Sequence, residues 1–446
     1  MSAILSLVIW VAGSLRLVAA PVTGILLVLC IYPMLPRYIA FGFGESGFAV
    51  SAKRMLLATT ALYFIYRMIA NRFRINLVGK DLLGWVIFGL FAYFFISLMA
   101  AIASSGALVS YLLFIEDLVF LFVAICIAKM LVQNERGTFY LYRYGFFIPL
   151  VITIFIVFVE VLRGAPILSG LLSIDSSIAL AWKGEFYEVK VRNNRYRAKG
   201  LAEGQLVLAE FTVYCLIATI FAYRERFIKK IPFICLLVGA VGIILATGSR
   251  AALLLLAVIF LITVFFTSLR SARRLARTVV PFMCVIAFCI IGYAIFQLAA
   301  GLQLEENFYS ITDKNERSTY GRLLQYRIVY DLVLQSPVWG YGYHRNYADE
   351  FEALHTIDNF YLVSAIKSGI LGLVLFFSCV LAVIISSVRS LFSRVEYFNF
   401  FLWITTFAIC FSIFKLFLTH PSNNFYFILL TAYSFLYLRA NKYYRN

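Results

Sequence analysis

Residues 251–268 read AALLLLAVIFLITVFFTS and carry no charged side chain. A lipid hydrocarbon core about 30 Å thick requires about 20 helical residues to cross it, and this run has that character. Further apolar runs of the same kind follow one another along the chain. The sequence therefore predicts an all-α integral membrane protein.

The amino-acid composition is that of a membrane protein. Of the 446 residues, 63% are hydrophobic and 14% are charged, and the mean hydropathy is +0.91. Soluble domains are about half apolar and about a quarter charged, so a soluble enzyme or a nucleic-acid-binding protein is excluded. The formal charge of +17 is explained by basic residues that flank helix ends on the cytoplasmic side.

Runs of sufficient length predict about twelve transmembrane helices. They lie near residues 14–34, 52–70, 82–104, 109–131, 142–163, 205–224, 231–247, 251–268, 279–299, 359–385, 398–418 and 424–440. Arg16 interrupts the first run, and residues 1–13 before it form an interfacial helix, part of one kinked span or a separate short helix. No small-x-small cleavage site follows this run, so no cleavable signal is expected.

Lysine and arginine in the short loops predict that both termini are cytoplasmic. The outward connections are then 35–51, 105–108, 164–204, 248–250, 300–358 and 419–423. The first of them departs from the charge rule, because Arg37, Lys53 and Arg54 flank it.

We therefore expect one polytopic domain, residues 1–446, with two large outer loops at 164–204 and 300–358. The second loop contains an amphipathic pattern at Arg322–Gln335, which predicts a helix lying against the membrane surface.

Cysteine and histidine give no sign of a disulfide or a metal site. All eight cysteines lie in apolar runs and are expected to be small buried hydrophobic residues. His344, His355 and His420 lack the spacing of metal ligands. No metal and no cofactor are therefore expected.

Two basic segments are candidates for binding an anion. Arg197 stands where the outer loop 164–204 enters a span, and its guanidinium can grip phosphate oxygens with two parallel hydrogen bonds. Thr247-Gly248-Ser249-Arg250 joins two apolar runs; glycine permits the tight backbone, and Ser249 can cap the next helix. Arg197 can equally snorkel to ordinary lipid phosphates, and Arg250 can be an interfacial anchor.

Two further segments carry polar side chains beside apolar runs. Gly321-Arg322 is followed by Trp339-Gly340-Tyr341-Gly342, where aromatic rings suit sugar faces but also suit a membrane interface. In the second segment, residues 355–362, His355 or Asp358 can accept a proton from a hydroxyl. Asp358 or Asn359 is also a good N-cap for the helix that follows, and a cap does not exclude catalysis.

Charged residues within the predicted spans are costly in lipid and are expected to face the bundle interior. They are Glu116, Asp117, Glu210, Lys367 and Lys415. A transporter would use such groups for proton coupling.

Taken in order, these segments resemble the O-antigen ligase and O-antigen polymerase superfamily of bacterial membrane glycosyltransferases. The matching residues are Arg197 and Gly200, Thr247 to Arg250, Gly321 and Arg322, Gly340 and Gly342, Asp358, Asn359, Tyr361 and Leu362, and Gly369 and Gly372. The ligase branch usually has histidine before that asparagine, where this chain has Asp358. The Asp-Asn form is more like the polymerase branch.

The resemblance implies metal-independent, inverting transfer of a glycan from an undecaprenyl-pyrophosphate carrier at the outer face of the bacterial inner membrane. The implied roles are pyrophosphate binding by Arg197, Arg250 and Arg322, proton abstraction by Asp358 with His355 as the substitute, and substrate orientation by Asn359, Gly340 and Gly342. The implied partners are the carrier-linked glycan, the lipid bilayer and a chain-length regulator. Three rivals stay open: a ligase that attaches polymer to lipid A core, a flippase or exporter, and a non-catalytic assembly subunit.

Overall fold

The computed structural model describes residues 2–35, 40–42, 49–70, 73, 82–103, 107–167, 191–192, 195–269, 314–342, 359–393, 397–416 and 424–443. Within these residues the chain is a bundle of helices. They are α1 (Ser2–Ala19), α2 (Pro21–Ile31), α3 (Ala52–Ile69), α4 (Leu82–Ala103), α5 (Ala107–Val132), α6 (Gly137–Tyr142), α7 (Ile148–Arg163), α8 (Gln205–Arg224), α9 (Lys230–Thr247), α10 (Arg250–Leu269), α11 (Lys314–Gln335), α12 (Phe360–Ser393), α13 (Phe398–Phe414) and α14 (Asn424–Tyr443).

Short segments of other kinds connect some of these helices. A 3₁₀ turn (Tyr32–Met34) follows α2, and a π-helical segment (Arg143–Phe147) joins α6 to α7. Two antiparallel strand pairs are formed by β1 (Ala40–Gly42) with β2 (Ala49–Ser51) and by β3 (Val191–Arg192) with β4 (Arg195–Tyr196). Each strand has only two or three residues, so the fold is helical in class, as predicted.

Six helices in the described part of the chain are long and apolar enough to cross a membrane. They are Gly84–Ile102, Tyr111–Val132, Gly137–Arg163, Gln205–Arg224, Lys230–Thr247 and Phe360–Phe392. Four shorter apolar helices accompany them, at Ile4–Ala19, Pro21–Met34, Ala251–Thr263 and Phe398–Phe414. The prediction of a helical membrane protein is confirmed. The count of about twelve, the outward loops and the position of both termini stay predictions, and the predicted span 279–299 lies outside the described residues.

The first predicted span, 14–34, is not a single helix. The chain breaks at Ala20, where φ is −145° and ψ is 81°, and α2 begins at Pro21. Proline lacks the amide donor of a helix interior and disfavours helical geometry in the residue before it. The two helices pack closely, since a Cβ on Gly24 would lie 2.6 Å from the Leu17 backbone.

The centre of the bundle is aromatic. Phe221 of α8 stacks on Trp403 of α13 with ring centroids 4.6 Å apart, and Phe411 stacks on Phe427 of α14 at 4.3 Å. Association of helices in lipid depends on such close packing, because the surrounding lipid is itself apolar. The helices α8, α13 and α14 therefore form a core whose ends position the polar segments.

Most described cysteines are buried, as predicted: Cys30, Cys126, Cys215, Cys379 and Cys410. The prediction is wrong for Cys235, which is exposed on α9. The reason is that only 28% of the α9 span is buried inside the bundle, so most of its positions face away from other helices.

An ion pair joins α3 to α5. The Nε and Nη2 atoms of Arg54 donate to the two carboxylate oxygens of Glu116, at 3.1 and 2.7 Å. Both side chains are partly buried, with 28% and 19% of their surface exposed. The paired, fork-like geometry explains how Glu116 is accommodated within an apolar helix.

Candidate functional site

Arg197 lies directly against the turn between α9 and α10. Its Nε donates to the Thr247 carbonyl oxygen at 2.7 Å, although the two residues are 50 positions apart in sequence. The neighbouring Ala198 N–H donates to the Ala246 carbonyl oxygen at 3.0 Å. Two segments that the sequence offered separately as anion sites are thus one structural unit.

The turn itself is built by Gly248 and Ser249. Gly248 ends α9 with φ of +62°, and a Cβ there would lie only 3.2 Å from the Arg197 Nε. Ser249 Oγ accepts a hydrogen bond from the Ala252 N–H at 3.3 Å, which confirms the predicted helix cap. Arg250 is the first residue of α10, and its side chain lies outside the described residues.

Glu160 holds the other side of the Arg197 segment, and no sequence motif indicates this role. The side chain is fully buried near the end of α7. Its Oε2 accepts from the Lys199 N–H at 3.1 Å, the Gly200 N–H at 2.9 Å and the Tyr196 hydroxyl at 3.4 Å. Burial raises the pKa of the Tyr196 hydroxyl, and the neighbouring carboxylate raises it further, so the hydroxyl keeps its proton and donates.

The Gly340–Gly342 segment fits into a break in α12. Gly369 interrupts that helix with φ of +63° and ψ of −171°. A Cβ on Gly369 would collide with the Val338 carbonyl, and a Cβ on Gly340 would collide with the Ile366 carbonyl. Both positions therefore require glycine, since the backbone is left-handed and the space is already filled.

Hydrogen bonds are exchanged at this break rather than lost. The Ile370 N–H donates to Pro337 O, while Ile366 O accepts from the Tyr341 N–H, each at 2.8 Å. Lys367 O accepts from the Gly342 N–H, also at 2.8 Å. Backbone groups at membrane depth must be paired within the protein, and this exchange satisfies those groups. The two glycine motifs of the sequence are thus one packed joint.

Asn359 caps α12 and ties it to α11. Its Oδ1 accepts from the Tyr361 and Leu362 N–H groups at 2.9 and 3.3 Å. Its Nδ2 donates to the Tyr326 hydroxyl at 3.0 Å. The predicted cap is therefore confirmed for Asn359. Tyr326 stands one helical turn after Arg322 in α11, so this bond fixes the helix that carries the third predicted arginine.

A buried ion pair lies beneath the Asn359 cap. Lys415 Nζ is 3.1 Å from Glu210 Oε1, and both side chains are fully buried. Tyr214 also donates to Glu210 Oε1, at 2.6 Å. The Lys415 carbonyl accepts from the Phe360 N–H at 2.9 Å, so the pair is joined to the start of α12. The prediction that these mid-span charges face the bundle interior is confirmed for Glu210 and Lys415.

The described contacts bring several predicted site residues to one end of the bundle. Arg197 contacts the end of α9, and the α8 that follows it is tied through Glu210 and Lys415 to the start of α12. Gly340 and Gly342 contact α12 and α4 instead. Arg322 lies in α11, with its side chain outside the described residues, and Asp358 and His355 lie outside them altogether. Convergence of the three arginines stays a prediction.

A helical bundle with polar segments at its helix ends is consistent with the superfamily of membrane glycosyltransferases that the sequence motifs resemble. Residues 233–377 match the model of a protein family described as O-Antigen ligase. This match confirms the resemblance to the O-antigen ligase and polymerase superfamily, and it supports a glycosyltransferase-type function in a membrane. The matched residues include the Thr247–Arg250 turn and the glycine joint, whereas Arg197 precedes them. No curated protein matches the chain at a significant level.

Replacing Asn359 by alanine is expected to destabilise the protein by about 0.5–2 kcal/mol, because two amides at the start of α12 lose their acceptor. Asn359→Asp keeps that acceptor and loses only the donor to Tyr326, so it should be less destabilising. Thermal unfolding in detergent micelles measures both. Equal losses in the two variants would show that capping is not what Asn359 contributes.

Proposed function

We propose that the protein polymerises undecaprenyl-pyrophosphate-linked oligosaccharide repeat units at the outer face of the bacterial inner membrane. The observation that supports this most directly is the contact between Arg197 and the turn that begins α10. It brings a guanidinium against the last residue of α9, which only Gly248 and Ser249 separate from the helix that begins at Arg250. Helix N-termini and guanidinium groups both favour phosphate, so a pyrophosphate suits this place.

The proposed reaction depends on the carrier pyrophosphate, which is the leaving group. An acceptor sugar hydroxyl attacks the anomeric carbon of the donor, the bond from that carbon to the pyrophosphate oxygen breaks, and the configuration inverts. Arg197, Arg250 and Arg322 meet the negative charge that develops on the carrier pyrophosphate. Asp358 takes the hydroxyl proton, with His355 as the substitute base. Asn359, Gly340 and Gly342 shape the site in which the sugars are oriented.

Two observations bear on whether the protein is a polymerase or a ligase. The residue before Asn359 is Asp358, where the ligase branch usually carries histidine, and this favours the polymerase. The family description O-Antigen ligase favours transfer of finished polymer to lipid A core as the second candidate. In either case the donor is the same carrier-linked glycan, and the bilayer and a chain-length regulator are the expected partners.

Analysis of cell-surface glycan in a deletion strain tests the proposal. Loss of a polymerase leaves single repeat units on the carrier. Loss of a ligase leaves long polymer on the carrier that is not attached to core. Loss of a flippase leaves repeat units facing the cytoplasm, and that result, or the ligase result, would contradict the proposed polymerisation.

Asp358→Asn is expected to lower glycan transfer by about 10²–10⁴-fold, because the amide has nearly the same size as the carboxylate and cannot accept the proton. Chain length of the surface glycan, at controlled protein level, measures the effect. His355→Gln serves as the counterpart. A normal product from Asp358→Asn and a short product from His355→Gln would assign the base to His355.

A further inference from the structure

A buried carboxylate on α7 fixes the loop that carries Arg197. Glu160 has no exposed surface, and its two oxygens accept four hydrogen bonds from two segments of the chain. Oε1 accepts from the Ile167 N–H at 3.1 Å, and Oε2 accepts from Lys199, Gly200 and the Tyr196 hydroxyl. A buried charge in a membrane helix is costly, so such complete pairing points to a specific task.

The geometry of the loop shows what the carboxylate does. Gly200 has φ of +57°, which turns its N–H and that of Lys199 toward the same oxygen. Successive N–H groups in such a turn form a small anion-binding concavity. Here Glu160 fills the concavity from inside the protein. The site offered by this turn is therefore occupied by an internal anion and not by a ligand.

Arg197 is held between two anchors. On one side, Lys199 and Gly200 are bound to Glu160. On the other side, Ala198 donates to Ala246, and the Arg197 Nε donates to Thr247. Few backbone rotations remain for the residues between these anchors, so the carboxylate on α7 determines where the guanidinium stands.

We infer that Glu160 is a positioning residue, which fixes the 196–200 loop so that Arg197 meets a polyprenyl pyrophosphate at the α9–α10 turn. The inference rests on the proposed function. Glutamine at position 160 keeps one acceptor oxygen and places an NH₂ group against N–H donors. In either orientation of the amide, the bridge that the carboxylate makes between Ile167 and the 196–200 loop is broken, and the loop is no longer fixed.

A double-mutant cycle on ligand binding tests the inference. Wild type, Glu160→Gln, Arg197→Ala and the double variant are placed in lipid nanodiscs, and the dissociation constant for undecaprenyl pyrophosphate is measured by native mass spectrometry. Each single substitution is expected to weaken binding by about 10-fold or more, the scale of a lost hydrogen bond to a charged group. In the Arg197→Ala background, Glu160→Gln should change binding by less than about 2-fold, because both act through one contact.

Two controls separate positioning from a general effect on folding. Undecaprenol, which lacks phosphates, should bind all four proteins alike. Glu135→Gln removes the same charge at an exposed site and should leave pyrophosphate binding unchanged. If Glu160→Gln does not fold, Glu160→Asp keeps the charge and withdraws it by one methylene group, and the same non-additivity is expected.

Equal weakening by Glu160→Gln in both backgrounds would overturn the positioning role while leaving the pyrophosphate site in place. Full binding by Glu160→Gln would overturn it too. Full binding by Arg197→Ala would instead show that the pyrophosphate site itself is wrongly assigned, and the positioning role would fall with it.

Discussion

Arg197→Ala is expected to lower glycan transfer by about 10²–10³-fold, the usual effect of removing one preorganised donor from a developing negative charge. The guanidinium is already oriented by its bond to the Thr247 carbonyl, so little reorganisation is needed when charge builds on the pyrophosphate. Surface glycan length in a complemented deletion strain, with protein level controlled, measures the loss. Short or absent polymer is the expected product.

Arg163→Ala is the matched control for this substitution. Arg163 ends α7, three residues after Glu160, and its side chain is exposed. An exposed arginine that serves only as an interfacial anchor can be replaced with little effect on chemistry. Polymer of full length from Arg197→Ala, or equal loss from both variants, would count against a specific role of Arg197 in binding phosphate.

Lys415→Met is expected to destabilise the protein by about 3–5 kcal/mol, because it leaves the Glu210 carboxylate buried without its ammonium partner. Both side chains are fully buried, 3.1 Å apart, and water does not reach either of them to compensate. The start of α12 rests on this region through the Phe360–Lys415 backbone bond. Protein yield and thermal unfolding in detergent measure the effect.

The double variant Glu210→Gln with Lys415→Met is the control, since it removes both charges together. Replacing a complete buried pair by neutral side chains is often close to neutral for stability, so this protein should fold and retain glycan transfer. A transporter that couples protons through Glu210 would lose function in the same variant. A double variant that is stable but no longer functions would therefore favour the transporter and oppose a purely structural role for the pair.

The sequence predicted best what depends on long uncharged runs. The spans that became α4, α5, α8 and α9 were located to within a few residues, because a run of about 20 apolar residues has few alternatives to a membrane helix. The tight turn at Gly248 was also predicted, since glycine and a capping serine stand side by side there.

Local breaks in the helices were harder to predict. Gly369 interrupts α12 only because the Gly340–Gly342 segment supplies replacement hydrogen bonds from a distant part of the chain. Glycine is also common within intact membrane helices, so its presence alone does not predict a break. Pro21 is the residue in the sequence that indicates the break at Ala20, whereas the apolar run continues across it without interruption.

The site was predicted as a set of segments and not as an arrangement. Arg197 and the Thr247–Arg250 turn are each indicated by their own residues, and nothing in their sequence spacing indicates that they touch. Glu160 was missed because a single carboxylate near the end of an apolar run resembles an interfacial residue. Its partners, Lys199 and Gly200, contact it through backbone N–H groups, which no side-chain pattern reveals.

One measurement tests the proposed activity most directly. Purified wild-type protein in nanodiscs, with a chelator present, is given undecaprenyl-pyrophosphate-linked repeat units extracted from the deletion strain. Wild type should release one free undecaprenyl pyrophosphate for each new glycosidic bond, and neither product should appear at a comparable rate from Arg197→Ala. Wild-type protein that forms no new glycosidic bond, or Arg197→Ala that forms them at the wild-type rate, would contradict pyrophosphate-driven polymerisation at this site.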